Sequence, residues 1–142
     1  MKLPVVVVFY NPTKENIENI SVYKETVDKV YVIDNSDDDI QRVKSDNLVE
    51  YIKFGKNKGI AAALNEASKR AIREKYKWLL TLDQDSKITS KNIEDMKKFI
   101  NSTKEKNIGL VAPYQDIGLE ITKSDKDYQD IIEVMTSGSI IN

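Results

Sequence analysis

The chain has 142 residues, of which 40% are hydrophobic and 32% charged, and its 22 basic and 23 acidic side chains leave a net charge of −1. That length suits one compact core, and that balance excludes a disordered chain, a membrane-spanning chain and a global basic field able to hold a nucleic acid. With no Cys and no His in the sequence, disulfides, thiolate nucleophiles, imidazole catalysis and the usual zinc sites are excluded too, and any metal must be hard and held by oxygen.

Leu3 to Tyr10 is apolar like a signal-peptide core, yet Pro4 interrupts its start and no small-residue cleavage site follows. Val5 to Phe9 therefore predicts a first strand buried on both faces. A helix is expected from about Thr13 to Lys29, with Pro12 near its start, then strands over Val30 to Asp34 and Val49 to Phe54. The next helix carries Ile60, Ala63, Leu64, Ala67, Ala71 and Ile72 on one stripe, with Glu66, Lys69, Arg70 and Arg73 facing away. Trp78 to Leu82 predicts a fourth strand. Thr89 or Ser90 caps a further helix with Ile93, Met96 and Ile100 on one face, and Ile108 to Ala112 reads as a fifth strand. Pro113 to Asp130 has a weak pattern suited to a loop-rich excursion, and Glu133 to Asn142 looks extended. Strand-length apolar runs alternating with helical segments predict an α/β protein with a mainly parallel sheet flanked by helices.

Leu79-Leu80-Thr81-Leu82-Asp83-Gln84-Asp85-Ser86 delivers two carboxylates, one residue apart, at the end of a buried strand. Ligands bind at the carboxyl ends of strands in open α/β sheets, and paired acids there suit a divalent metal holding a diphosphate. A polar turn capping the next helix accounts for an isolated Asp-x-Asp equally well. Asn57-Lys58-Gly59 precedes the strongest helix. Asn can cap it, Gly permits close backbone approach, and the helix N-terminus offers N–H groups to a phosphate beside the Lys58 charge; an ordinary strand-to-helix loop is the alternative. Asp34 ends a strand where a dinucleotide fold keeps a ribose-binding acid, but the first turn, Phe9-Tyr10-Asn11-Pro12, lacks the glycine fingerprint of that fold. Tyr10 offers a face on which a base could stack, or else is a rim aromatic. Asp37-Asp38-Asp39 reads as a solvated turn opening a short helix.

Together, Val5-Val6-Val7-Val8-Phe9-Tyr10-Asn11-Pro12, Val32-Ile33-Asp34-Asn35-Ser36, Asn57-Lys58-Gly59-Ile60-Ala61-Ala62-Ala63-Leu64-Asn65 and Leu82-Asp83-Gln84-Asp85-Ser86 resemble the inverting family 2 glycosyltransferases, most of all their bacterial rhamnosyltransferase-like members. Thr136-Ser137-Gly138-Ser139 looks like the strand that precedes the family's acceptor-binding half. The resemblance implies a GT-A fold, a Rossmann-like nucleotide-diphospho-sugar transferase sheet, incomplete here at its C-terminal end. It also implies a nucleotide-sugar donor of the dTDP-rhamnose or UDP-sugar class, Mg²⁺ or Mn²⁺, and inverting transfer to a glycan or lipid-linked acceptor in polysaccharide biosynthesis. Carried over by position, Tyr10 stacks on the base with Asn11 beside it, and Asp34 hydrogen-bonds the base edge. Asn57, Lys58 and Gly59 lie near the donor phosphates, Asp83 faces the ribose or sugar and contributes to the metal site, and Asp85 is the metal ligand.

The general base of that family lies beyond its Ser-Gly-Ser strand, hence beyond Asn142, so the chain is expected to be the N-terminal, donor-binding part of a longer enzyme. Asp116, Glu120, Asp125, Asp127, Asp130 and Glu133 match no family motif. The resemblance further implies a cytoplasmic enzyme working at the inner face of the membrane, with peripheral membrane association, and allows a homo-oligomer. Two alternatives stay open: a haloacid-dehalogenase-like phosphatase, whose nucleophile strand Leu79 to Ser86 also resembles, and a non-catalytic nucleotide-binding module.

Overall fold

The structure, a computed structural model, describes residues 1–38, 40–113 and 137–142. Strands β1 (Pro4–Phe9), β2 (Lys29–Asp34), β3 (Val49–Lys53) and β4 (Leu79–Asp83) alternate with helices α1 (Lys14–Tyr23), α2 (Ile60–Arg73) and α3 (Ser90–Ser102), and β5 (Leu110–Val111) and β6 (Ser139–Ile141) complete the described elements. They form a six-stranded sheet in the order β3-β2-β1-β4-β6-β5. The first four strands are parallel; β6 runs antiparallel to both β4 and β5. The mainly parallel α/β sheet expected from the alternating pattern is the one observed.

Period-2 alternation assigns the two faces of β1. Val5, Val7 and Phe9 pack with Ile20 and Tyr23 of α1 and Ile93 and Met96 of α3, while Val6 packs with Tyr31, Ile33 and the alanines of α2 on the other side. Each fully buried Val or Leu contributes ~1.5–3 kcal/mol, so β1 and β2, each with four almost fully buried apolar side chains, carry a large share of the core. Both α1 and α3 begin with a reciprocal capping box, Thr13 with Asn16 and Thr89 with Asn92, so the cap of α3 is Thr89 and not Ser90.

Three expectations are corrected. The helix expected over 13–29 ends at Tyr23, and a 3-10 turn, Lys24–Thr26, follows before Val27 turns extended: β-branched Thr26 and Val27 favour leaving the helix, and Asp28 is then placed to accept the Leu3 N–H at 2.7 Å. The stripe of α2 narrows to Ala63, Ala67 and Ala71, with Leu64 half-buried against them. Ile60, on the first helical turn, and Ile72, about 100° round from Ala71, are 50% and 72% exposed. Alanine at the contact lets the helix approach β1 closely. The fifth strand shrinks from 108–112 to two residues because β6 pairs with only Leu110 and Val111. The extended reading of 133–142 holds for Ser139–Ile141; residues 133–136, and all but Pro113 of the 113–130 excursion, lie outside the described residues.

An ion-pair chain secures α2 over the sheet. Glu50 of β3 meets Lys29 at 2.9 Å and also Arg70, which in turn reaches Glu66 at 2.8 Å. Burial alone would lift the Glu50 carboxyl, but the two cations outweigh it and hold the group below its ordinary range.

Alkaline pH is expected to weaken the fold. Burial raises the phenols of Tyr23, Tyr31 and Tyr76 above their ordinary value of 10.0, and burial with a bond to Asp34 pushes Tyr51 up to about 12. A group raised in the folded state stabilises fully below its unfolded pKa and loses that contribution as pH rises through the folded value. Urea midpoints should therefore be level up to about pH 9 and fall between about pH 10 and 12. A midpoint unchanged across that window would contradict the assignment.

Candidate functional site

The chain starts in the middle of the sheet, steps outward through β2 to β3, and crosses back under α2 to β4. The order therefore reverses between β1 and β4, and the crevice beyond their carboxyl ends is where such sheets take ligands. Register puts Asp34 and Asp83 on opposite sides of that point: Phe9 pairs with Asp34, and Val8 with Asp83.

Tyr10 follows the last residue of β1 and is 46% exposed, so its ring is open to a flat ligand. Asn11 has φ of 46°, a left-handed conformation that asparagine tolerates, and its N–H is held by Ser36 Oγ at 2.8 Å. The turn thus lifts Tyr10 above the sheet instead of continuing β1.

At the end of β4, the Asp83 N–H is shared between Ser86 Oγ at 3.0 Å and Ser137 Oγ at 2.9 Å, and Ser86 N–H closes the turn onto the Asp83 carbonyl at 3.1 Å. The two carboxylates behave unlike the other described aspartates. Asp28, Asp34, Asp37, Asp38, Asp46 and Asp95 each engage a backbone N–H or a cation. The carboxylates of Asp83, half-buried, and Asp85, exposed, have no partner among the described residues. Two adjacent uncommitted carboxylates repel until a cation joins them. Oxygen-only chemistry, two acids and an open crevice fit Mg²⁺ or Mn²⁺ held jointly with a diphosphate, since such ions keep waters and phosphate oxygens in their shell. Among the described residues no group of three or more acidic, His or Cys side chains could hold an ion alone.

The loop before α2 differs from expectation in one respect. Asn57 does not cap the helix; the N-cap is Gly59, without a side-chain bond, and Asn57 Oδ1 instead accepts the Gly59 N–H at 2.9 Å. Gly59 has φ of 81°, and a Cβ there would meet nothing within 4 Å, so backbone conformation rather than close approach demands glycine. The N–H groups of Asn57, Lys58 and Gly59 are taken by Asp37, Asn35 and Asn57. The N–H groups of Ile60, Ala61 and Ala62 in the first turn of α2 have no partner among the described residues, which moves any phosphate contact one turn along. Lys58 Nζ rests 4.4 Å from the centre of the Phe54 ring.

Asp34 ends β2 as expected but is completely buried. Its Oδ1 accepts from Ser36 N–H at 2.8 Å, its Oδ2 from the Tyr51 hydroxyl at 2.5 Å, and Arg42 Nε lies 3.5 Å away. A base edge reaches this carboxylate only when Tyr51 or Arg42 gives way. Asp37 and Asp38 open no helix: Asp37 accepts the Asn57 N–H, and Asp38 accepts the Ile40 N–H and pairs with Arg42; Asp39 lies outside the described residues. So do Thr136 and Asp116, Glu120, Asp125, Asp127, Asp130 and Glu133.

Several site residues were given no role of their own in the sequence reading, although Asn35, Ser36 and Gln84 lie within its motifs. Asn35 ties the loops together, accepting from Lys58 N–H and donating to the Gly59 carbonyl, both at 3.3 Å. Ser36, Tyr51 and Arg42 hold the Asp34 carboxylate, and Gln84 holds the backbone of Tyr10. A usable signal was the run of small polar residues directly after each buried strand, where the ladder ends and backbone groups need partners.

Similarity to known proteins agrees with this geometry. Residues 5–137 match glycosyl transferase family 2. Among solved structures, that of S. aureus TarS 1–349 superposes with a TM-score of 0.62 at 17% identity, covering 99% of this chain and 47% of that one. The chain thus spans about half the length of that 1–349 chain (47%), and the likeness extends to the fold, GT-A-like and mainly parallel. No curated protein matches the chain. With nearly its whole described length inside the family match, residues 5–137, the chain belongs to glycosyl transferase family 2.

Proposed function

We propose that this chain is the donor-binding part of a glycosyltransferase, taking a nucleoside-diphosphate sugar of the UDP or dTDP-rhamnose class with Mg²⁺ or Mn²⁺ for inverting transfer to a hydroxyl of a glycan or lipid-linked acceptor. The observation that carries the reading is the pair of uncommitted carboxylates, Asp83 and Asp85, at the switch point of the sheet. In this reading Tyr10 stacks on the base. Asp34, held in place by Tyr51 and Arg42, recognises the N3–H of a pyrimidine once the base displaces one of them. The first turn of α2 and Lys58 face the diphosphate, and Asp85, with Asp83, holds the ion. The ion's contribution, when bound, is to offset charge developing on the departing nucleoside diphosphate. The acceptor hydroxyl loses its proton to a general base for which no described residue is a candidate.

Cell-surface polysaccharide synthesis at the inner face of the membrane is the setting the resemblance supports; among the described residues no helix is long and apolar enough to cross a membrane. The phosphatase alternative is not favoured, since Leu79 to Ser86 lies inside the family match and on the fourth strand of the sheet order just described.

Calorimetric titration of UDP and dTDP, first with Mn²⁺ and then with chelator, tests the proposal. Binding is expected to be tight with Mn²⁺ and to weaken strongly on chelation. Equal affinity in both conditions would overturn the metal role, and competition in which ADP or GDP outranks UDP would overturn the base assignment.

A further inference from the structure

Gln84 stands between the two aspartates, and its side chain crosses to β1, where its Oε1 accepts the Tyr10 N–H at 2.9 Å, a contact spanning 74 residues of sequence. The carbonyl of the same residue accepts from Asn16 Nδ2 at 3.2 Å. One helical turn on, Asn19 Nδ2 donates to the Ser86 carbonyl at 2.8 Å. Asn16 is also the closing member of the α1 capping box, its Oδ1 accepting from the Thr13 N–H at 2.8 Å while its own N–H reaches Thr13 Oγ1 at 3.2 Å. One carboxamide therefore fixes the start of α1 with its oxygen and the acidic turn with its nitrogen. The turn that carries Asp83 and Asp85 is braced from α1 and tied to the backbone of Tyr10, whose side chain is exposed.

We infer that Gln84, braced by Asn16, is a positioning residue that couples the two halves of the donor site, so that a metal at Asp83 and Asp85 and a base at Tyr10 bind cooperatively. The inference rests on the donor-binding reading above. Without the tie, each half can shift independently, and a diphosphate spanning both must restrain that freedom on binding.

The test measures UDP affinity with and without Mn²⁺ and takes the ratio as the coupling. Gln84→Met removes the acceptor for Tyr10 N–H; Gln84→Glu keeps one, and because it adds a third carboxylate between Asp83 and Asp85 all variants are compared at saturating Mn²⁺. Asn16→Asp keeps the capping oxygen, with a charge suited to a helix N-terminus, but loses the donor to Gln84. Loss of one such hydrogen bond should lower the coupling about 5–10-fold in Gln84→Met and Asn16→Asp, with wild-type coupling regained in Gln84→Glu. Unfolding midpoints should stay level across the series, which a purely structural role would not give. Unchanged coupling in Gln84→Met, while the wild type keeps its Mn²⁺ dependence, overturns the inference and leaves the donor-binding reading standing. So does a loss that follows the unfolding midpoint and is not regained in Gln84→Glu. A wild-type chain indifferent to Mn²⁺ overturns both.

Discussion

Replacing Asp85 by alanine is expected to weaken Mn²⁺-dependent nucleotide binding on the order of 100-fold, because an ion carried by one or two carboxylates loses half its protein charge. The fold should hardly notice. Asp85 is exposed and its carboxylate has no partner among the described residues, so the melting temperature should move by no more than about 2 °C. Asp85→Asn, which keeps an oxygen but not the charge, should fall between the two in affinity. Titrations of UDP with Mn²⁺ and thermal melts on the same samples give both quantities. Wild-type affinity in Asp85→Ala would remove the carboxylate pair from the site.

Asp34→Ala is expected to have the opposite signature, a loss of about 3 kcal/mol in stability, since it leaves Arg42 with Asp38 alone as counter-charge and strips the buried Ser36 N–H and Tyr51 hydroxyl of their acceptor. The side chain is 0% exposed, and three groups converge on it: Ser36 N–H, the Tyr51 hydroxyl, and Arg42, whose buried Nε has no hydrogen bond of its own. Asp34→Asn keeps acceptors for Ser36 and loses mainly the charge opposite Arg42, so its cost should be smaller. Combining Asp34→Ala with Arg42→Met should recover part of the loss, because the half-compensated cation goes too. Urea denaturation of the four proteins measures these differences, and a cost below about 1 kcal/mol for Asp34→Ala would show that water reaches the cluster freely.

The strands were legible because β1 and β2 hold unbroken apolar runs and β4 is interrupted only by Thr81, and a chain of this order has few ways to bury them. Positions of Tyr10, Asp34 and Asp83 followed from the same runs, each acid or aromatic falling where a run stops. What stayed hidden was which acids are committed. Asp34 and Asp83 look alike in sequence, both ending a strand, yet one is sealed under Tyr51 and Arg42 while the other is left open. Those partners lie 17 and 8 residues further along the chain for Asp34, at separations no local pattern reports. Ile60 and Ile72 misled for a related reason: helical period gives an angle, and it carries no account of how far the sheet extends beneath each turn. Gln84 was hidden by its neighbours, since two acids in a three-residue motif draw attention from the amide between them.

The place of β6 bears on how the protein is made. It slots between β4 and β5, two strands that precede it in synthesis, and it pairs Thr81 with Ser139 across most of the second half of the chain. While a ribosome has delivered only residues 1–113, the parallel strands β3-β2-β1-β4 can already assemble, but β4 has a bare edge and Ser137 has not yet reached the Asp83 N–H. Loop closure over that separation is slow compared with local helix and turn formation. The acidic turn is therefore completed after the parallel strands, and a nascent chain would acquire that scaffold before the contact that fixes the Asp83 backbone.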